Sequence, residues 1–259
     1  MMQNIKLTAL AFVLGIFSCK GSGGEEPRPE PPKPDVKSDV AFWLTNGDRS
    51  VLFKQQQTPL VFSDALNQYP TITVDDTKTY QGIDGFGYTL TGGSATLING
   101  LAAAKKEALL NELFRWDSTF IGVSYLRISI GASDLSEAPF SYNDLPAGQT
   151  DLTLQHFSID MEKKDLIPVL KKIVAINPSI KILGSPWSPP TWMKTNNNSK
   201  GGKLKPEYYS VYAQYFVKYI QAMKAEGITI DAITIQNEPL HPGNNPSLEM
   251  QAAEQADFI

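Results

Sequence analysis

The sequence predicts an α/β fold, and within that class a (β/α)8 TIM barrel of which about the first four βα units are present. Apolar strand patterns alternate with helical patterns over residues 81–259, at a repeat of roughly 40–55 residues. Long loops follow the predicted strands. The glycine-rich segment Asp84–Gly87 lacks the third glycine of a dinucleotide-binding fingerprint, which disfavours a doubly wound fold. Since a closed barrel has eight strands, we expect the chain to end about halfway through the fold.

The composition sets limits on the function. The chain has 259 residues, of which 42% are hydrophobic and 19% charged, enough for a core in one or two domains. A formal net charge of −4 provides no basic field, so we expect no nucleic-acid partner. The single cysteine excludes an internal disulfide. His156 and His241 lie far apart with no Cys/His cluster of metal-ligand spacing, so no metal site is predicted.

Residues 1–19 have the pattern of a bacterial lipoprotein signal peptide. A lysine precedes the apolar run Leu7–Phe17, which is too short to span a bilayer as a permanent helix. The run leads to Cys19, and this junction resembles a lipobox, whose cysteine is acylated and becomes the mature N-terminus. The pattern predicts an exported protein attached to the outer membrane by a lipid on Cys19, at the cell surface or in the periplasm. An ordinary secretory signal with an incidental cysteine is the alternative.

Two segments connect this signal to the predicted barrel. Residues 20–39 are rich in proline and glycine and predict a semi-extended tether, because such a segment cannot bury apolar area. Residues 40–80 predict strands of a small side β domain, since β-branched and aromatic residues are dense and Asn46-Gly47 is a hairpin turn signal. The predicted strands cover residues 41–45, 51–53, 60–62 and 71–74.

Residues 81–259 predict the first half of a catalytic barrel domain. Pro168 lies in the second predicted helix, where it either kinks the helix or marks a late start. Pro206 suits the first turn of the third helix, and Gly227 suits the position just beyond its end. The predicted strands are residues 82–88, 122–131, 180–185 and 232–236, and the predicted helices are residues 101–114, 161–176, 206–226 and, as an opening only, 247–259.

Residues suited to binding a sugar follow three of the predicted strands. Arg127 and Asp134 belong to the second strand and its loop, whereas Trp187 follows the third strand. Asn237 and Glu238 follow the fourth strand. Because the carboxyl ends of barrel strands share one edge, we expect these side chains to lie together. The proline after Glu238 predicts an extended backbone at that residue.

Each of these residues also has a purely structural interpretation. Glu238 is then a strand-capping carboxylate in an ordinary loop. Trp187 and the nearby Trp192 are then packed in the core or in a loop. Arg127 and Asp134 then form an ion pair at a strand end.

Four segments of the chain, taken together and in order, resemble glycoside hydrolase family 30, the family of glucosylceramidases and bacterial or fungal β-1,6-glucanases. The third segment is long and specific, and the resemblance extends over nearly all of the chain from about residue 40 onward. The segments are Asp84–Gly87, Leu126–Asp134, Leu183–Asn196 and Thr234–Pro239.

The resemblance implies hydrolysis of β-glycosides with net retention by two glutamates, on a barrel whose side β domain is built from both chain ends, without a metal or organic cofactor. Glu238 matches the acid/base, which must be protonated to donate to the leaving oxygen. Asn237 matches the neighbour that hydrogen-bonds the sugar 2-hydroxyl. Trp187 and Asp134 match sugar contacts in the −1 subsite, and Arg127 matches a residue that supports the site.

In that family the nucleophile lies at the end of the seventh strand, and no residue of this chain matches it. We therefore expect an incomplete enzyme that shows no turnover by itself. The preferred substrate is a β-1,6-glucan or another β-glucoside, with glucosylceramide and xylan left open. A surface lipoprotein that binds glycans without catalysis is the competing hypothesis.

Overall fold

The computed structural model describes residues 37–117 and 120–259. The chain divides into two compact units, one ending at Thr77 and the other beginning at Lys78. The predicted signal peptide, the lipidation site Cys19 and most of the predicted tether lie outside the described residues. Among the residues that are described, no helix has the length and apolar character needed to cross a membrane.

The first unit contains a hairpin around the predicted turn, but its second strand lies at Lys54–Gln55 and not at the predicted residues 51–53. Strand β1, Trp43–Leu44, pairs antiparallel with strand β2, Lys54–Gln55, and the ring of Trp43 stacks on that of Phe53 at 6.3 Å between centroids. The predicted strand at 71–74 was wrong. Residues 71–74 form no strand, because the described residues offer them no neighbour with which to pair.

The second unit is built on a parallel sheet of four strands, which lie side by side in chain order. Sequential parallel strands joined by helices are the arrangement of a (β/α)8 barrel, so the predicted fold class is confirmed. The register keeps the carboxyl ends of the strands close to one another, which is what a shared site requires. The strands are β3 (Gly87–Leu90), β4 (Tyr125–Ile130), β5 (Lys181–Pro186) and β6 (Ala232–Ile233).

In the part of the chain that the structure describes, five α-helices accompany the sheet. They are α1 (Gly92–Asn99), α2 (Ala103–Phe114), α3 (Leu166–Ile176), α4 (Tyr209–Ala225) and α5 (Ala252–Phe258), and short 3-10 turns span Asp160–Lys163, Thr191–Met193 and Pro206–Tyr208. Pro168 lies in the first turn of α3, so the late start is confirmed. Gly227 follows α4 with φ of +82°, a conformation that glycine adopts without steric cost.

The sequence did not predict helix α1, because its first residues, Gly92 and Gly93, favour a loop. Thr91 caps the helix, its hydroxyl oxygen accepting from the backbone N–H of Ser94 at 3.1 Å. A Cβ at Gly93 would lie 2.3 Å from the carbonyl oxygen of Leu135. The glycine is therefore explained by a close approach to the loop after β4 rather than by a turn.

An aromatic cluster packs helix α4 against the loop that follows β4. Tyr142 stacks on Tyr215 and Tyr219 at centroid distances of 5.8 and 5.6 Å, and its backbone N–H donates to the hydroxyl of Tyr215 at 3.0 Å. The hydroxyl of Tyr142 donates to the buried carboxyl of Glu162 at 2.8 Å. Burial raises the pKa of Glu162 to about 7, against the opposing effect of this hydrogen bond.

This raised pKa predicts a measurable pH dependence of stability. The folded carboxyl binds its proton more tightly than the unfolded one, so stability falls as the pH rises from about 4.5 through about 7. We expect urea unfolding of Glu162→Gln to lack that fall, which at full extent is about 3 kcal/mol. Unfolding free energies of the two proteins at pH 5 and pH 8 measure the difference. Parallel pH curves for the two proteins would contradict the assignment.

Candidate active site

The guanidinium of Arg127 connects three neighbouring strands at their carboxyl-terminal edge. Arg127 lies on β4, and its Nη2 donates to the hydroxyl of Ser185 on β5 at 2.9 Å. The same nitrogen donates to Oδ1 of Asn237, just beyond β6, at 2.6 Å. The structure therefore brings Arg127 and Asn237 into direct contact, as the sequence predicted for residues at strand ends.

Trp187 lies against the same guanidinium, whose Cζ is 4.7 Å from the centre of the indole ring. The indole is buried, and Arg127 occupies one of its faces. Burial lowers the pKa of Arg127, and the negative charges of Glu238 and Asp134 act in the opposite direction. An arginine in this setting stays charged, so the site contains one fixed positive group.

Asn237 is oriented by this contact. Arginine has only donors, so the oxygen of the Asn237 amide faces Arg127 and the nitrogen faces Glu238. That nitrogen lies 3.3 Å from Oε2 of Glu238, and the side-chain nitrogen of Asn244 donates to the same oxygen at 2.8 Å. The backbone N–H of Asn237 also donates to the carbonyl of Pro186 at 2.8 Å, which continues the pairing of the two strands.

The predicted extended backbone at Glu238 was wrong, because its φ is +46°. A tight turn follows at once, since the carbonyl of Glu238 accepts from the N–H of His241 at 2.8 Å immediately after the strand. A non-glycine residue in the left-handed region is uncommon, and such residues are concentrated at functional sites. The turn leaves the carboxylate of Glu238 exposed at the edge of the sheet.

The other predicted aromatic and acidic residues differ in how they reach the site. Asp134 is exposed in the loop after β4 and influences the pKa of Arg127 electrostatically. Trp192 belongs to the core. Its indole N–H donates to the backbone carbonyl of Asn143 at 3.0 Å, and its ring packs edge-on against Tyr208. Trp192 is therefore a packed core residue, as its purely structural interpretation predicted.

Sequence reasoning missed several residues that shape the site. The amide nitrogen of Gln236, a buried residue, donates to the carbonyl of Trp187 at 2.8 Å and to that of Asn237 at 2.9 Å. The hydroxyls of Ser185 and Thr234 lie 2.6 Å apart across β5 and β6. The available signal was the position of these polar residues inside apolar strand patterns, where a buried polar group needs a partner.

These features combine an exposed carboxylate, two amides and a guanidinium at the carboxyl-terminal edge of barrel strands. The model of the glycosyl hydrolase family 30 TIM-barrel domain matches residues 83–259, which include every residue of this cluster. The chain belongs to glycosyl hydrolase family 30. Its place in the family confirms the recognition made from the four sequence segments.

Curated relatives are similar to the chain over most of its length. An endo-1,6-beta-D-glucanase of Neurospora crassa is 42% identical over 198 residues, covering 73% of this chain and 40% of the relative. A lysosomal acid glucosylceramidase of Mus musculus is 31% identical over 177 residues, covering 65% of this chain and 33% of the relative. The chain thus spans well under half the length of these relatives.

Solved structures give the same picture. The structure titled "The endo-beta1,6-glucanase BT3312" matches with a TM-score of 0.71 at 40% identity, covering 86% of this chain and 48% of that one. The structure of SrfJ from Salmonella typhimurium matches with a TM-score of 0.72 at 28% identity, covering 84% of this chain and 48% of that one. Both matches cover about half of the solved chain.

Proposed function

We propose that the chain is part of a retaining β-glycosidase in which Glu238 is the general acid/base. The observation that carries this proposal is the placement of the Glu238 carboxylate. It lies at the carboxyl-terminal edge of the barrel strands, exposed to solvent and hydrogen-bonded through one oxygen. Family membership supports glycosidase chemistry at this edge.

The proposed mechanism uses Glu238 twice. In the first step its carboxyl donates a proton to the glycosidic oxygen as the bond to the anomeric carbon breaks. In the second step the carboxylate removes a proton from water, which then attacks the glycosyl intermediate. Asn237 would hydrogen-bond the 2-hydroxyl of the sugar, and Arg127 would hold the Asn237 amide in the orientation that this requires.

Retention also requires a nucleophilic carboxylate at about 5–5.5 Å from the acid/base. We propose that it comes from the part of the family fold that this chain does not cover, which in the Neurospora crassa relative exceeds half the length. On this proposal, the 259 residues by themselves hydrolyse no glycoside. An open reading frame downstream that encodes further βα units with a strand-end glutamate would support it.

A β-1,6-glucan is the substrate that we propose. The relatives named as endo-1,6-beta-glucanases are about 37–42% identical to the chain, whereas those named as glucosylceramidases are about 29–32% identical. By the same comparison of sequence identities, glucosylceramide is the second candidate substrate. The non-catalytic glycan-binding hypothesis is weaker, because the Trp187 ring is buried beneath Arg127 and offers no open aromatic platform.

We also propose that the protein is exported and held at the outer membrane by a lipid on Cys19, on the pattern of residues 1–19. The expected result is incorporation of labelled palmitate into the wild-type protein in a bacterial host, and its loss in Cys19→Ser. The mutated cysteine is the single one in the chain, so no other thiol confuses the readout. Secretion of an unlabelled wild-type protein would favour the ordinary signal peptide.

The acid/base role of Glu238 is tested by Glu238→Gln in the complete protein. The amide cannot supply the proton, so we expect kcat on a β-1,6-glucan to fall by about 10²- to 10⁴-fold. Reducing-sugar release measures this rate. Glu107→Gln, a change of the same kind on the exposed face of α2, is the matched control and should keep full activity. Unchanged hydrolysis by Glu238→Gln would remove Glu238 from the mechanism.

A further inference from the structure

Asn244 makes the shorter of the two amide contacts with Glu238. Its side-chain nitrogen lies 2.8 Å from Oε2 of Glu238, compared with 3.3 Å for that of Asn237. Both nitrogens therefore converge on one oxygen of the carboxylate. Asn244 lies in the loop after β6, six residues beyond Glu238 and outside the segments that carry the family resemblance.

We propose that Asn244 is a positioning residue that determines which oxygen of Glu238 carries the catalytic proton. An amide N–H donates and cannot accept, so a proton on Oε2 would point at hydrogens rather than at a lone pair. With Oε2 held by Asn244 and Asn237, the proton resides on Oε1. Oε1 is then the atom that faces the glycosidic oxygen. This inference rests on the proposed acid/base role of Glu238.

The loop that presents Asn244 is fastened on both sides of this residue. The hydroxyl of Ser247 donates to the carbonyl of Pro242 at 2.9 Å, which closes the loop around Asn244. The backbone N–H of Ser247 donates to the carbonyl of Ser199 at 3.0 Å, which joins this loop to the one after β5. These contacts fix Asn244 before any substrate arrives, which is a condition for positioning a catalytic group.

A buried lysine provides the strongest of these connections. Lys194 is fully buried, and its ammonium donates to the carbonyl of Ser247 at 2.7 Å, to the carbonyl of Ser199 at 2.9 Å and to the hydroxyl of Ser188 at 2.9 Å. All three ammonium donors are thereby used. The lysine ties the loop after β5 to the loop that holds Asn244, so the position of Asn244 depends on two loops together.

The test is Asn244→Ala in the complete protein, assayed on two aryl β-glucosides. For phenyl β-glucoside, whose leaving group needs a proton, we expect kcat/KM to fall by about 10- to 100-fold, the effect of losing a hydrogen bond to a charged group. For 2,4-dinitrophenyl β-glucoside, which needs no proton, we expect a loss of less than about 3-fold.

Asn244→Asp introduces a side chain of nearly the same shape and gives an independent prediction. The ionised aspartate repels Glu238 and offers no donor, so the loss on phenyl β-glucoside should be at least as large as in Asn244→Ala near neutral pH. A protonated aspartate can donate again, so part of the activity should return below about pH 4, where an ordinary aspartate takes up its proton. A variant that merely loosens the loop would show no such recovery.

Asn245→Ala is the matched control. Asn245 has an amide of the same size at the next position, but its Oδ1 accepts from the hydroxyl of Ser199 rather than contacting Glu238. We expect it to leave the leaving-group dependence unchanged. Thermal unfolding of each variant confirms that the comparison is made between folded proteins.

The outcomes separate this inference from the proposed function. Equal losses on the two glucosides in Asn244→Ala, with no recovery of Asn244→Asp at low pH, would overturn the positioning role. If Glu238→Gln still loses activity on phenyl β-glucoside in that case, the acid/base assignment stands and the inference about Asn244 fails by itself. If Glu238→Gln retains full activity, the proposed function fails first.

Discussion

The guanidinium of Arg127 links the ends of three strands, and the geometry of the site depends on that link. One nitrogen serves both Ser185 and Asn237, while the flat face of the group rests on Trp187. A lysine has a compact, rotatable charge and could not combine the two roles with the same rigidity. Because arginine only donates, its contact also settles the orientation of the Asn237 amide, whose nitrogen is left to face Glu238. The arrangement of the carboxylate thus follows from a residue two strands away in the sheet.

The parallel register brings the ends of β4, β5 and β6 close enough for the Arg127 side chain to link them. The N–H of Thr234 donates to the carbonyl of Gly184 at 2.9 Å, and that of Asn237 to the carbonyl of Pro186 at 2.8 Å, so hydrogen bonding with β5 continues past the last residue of β6. The sequence predicted a fourth strand over residues 232–236 from its apolar pattern, whereas the regular strand covers only Ala232–Ile233. The left-handed backbone at Glu238 then ends the pairing and turns the carboxylate outward.

Local sequence signals were sufficient to predict a helix boundary where a single residue restricts its own backbone conformation. The late start of α3 at Pro168 and the end of α4 before Gly227 follow from ring geometry and from the missing Cβ. Helix α1 was missed because Gly93 is required by a distant carbonyl, and nothing in its own sequence neighbourhood shows this. The contact of Lys194 with Ser247 is likewise made between loops that only the folded sheet brings together, and the contact of Asn244 with Glu238 depends on the path of the loop after β6. The sequence could therefore nominate Glu238 as the acid/base, but not the amide that holds it.

The burial of Lys194 is energetically costly, and its structural role is to fix the two loops in one arrangement. Moving an ammonium out of water is costly, and the acceptors of Lys194 are two backbone carbonyls and a hydroxyl. Burial accordingly lowers the pKa of Lys194 to about 7. An apolar residue of the same length would avoid that cost, but it would leave the inward-facing carbonyls of Ser199 and Ser247 without this donor. The contribution of the lysine is therefore one of geometry rather than of stability, since it favours a single arrangement of the two loops. That arrangement places the Asn244 amide at Glu238, so the contact made by an exposed carboxylate depends on a buried lysine.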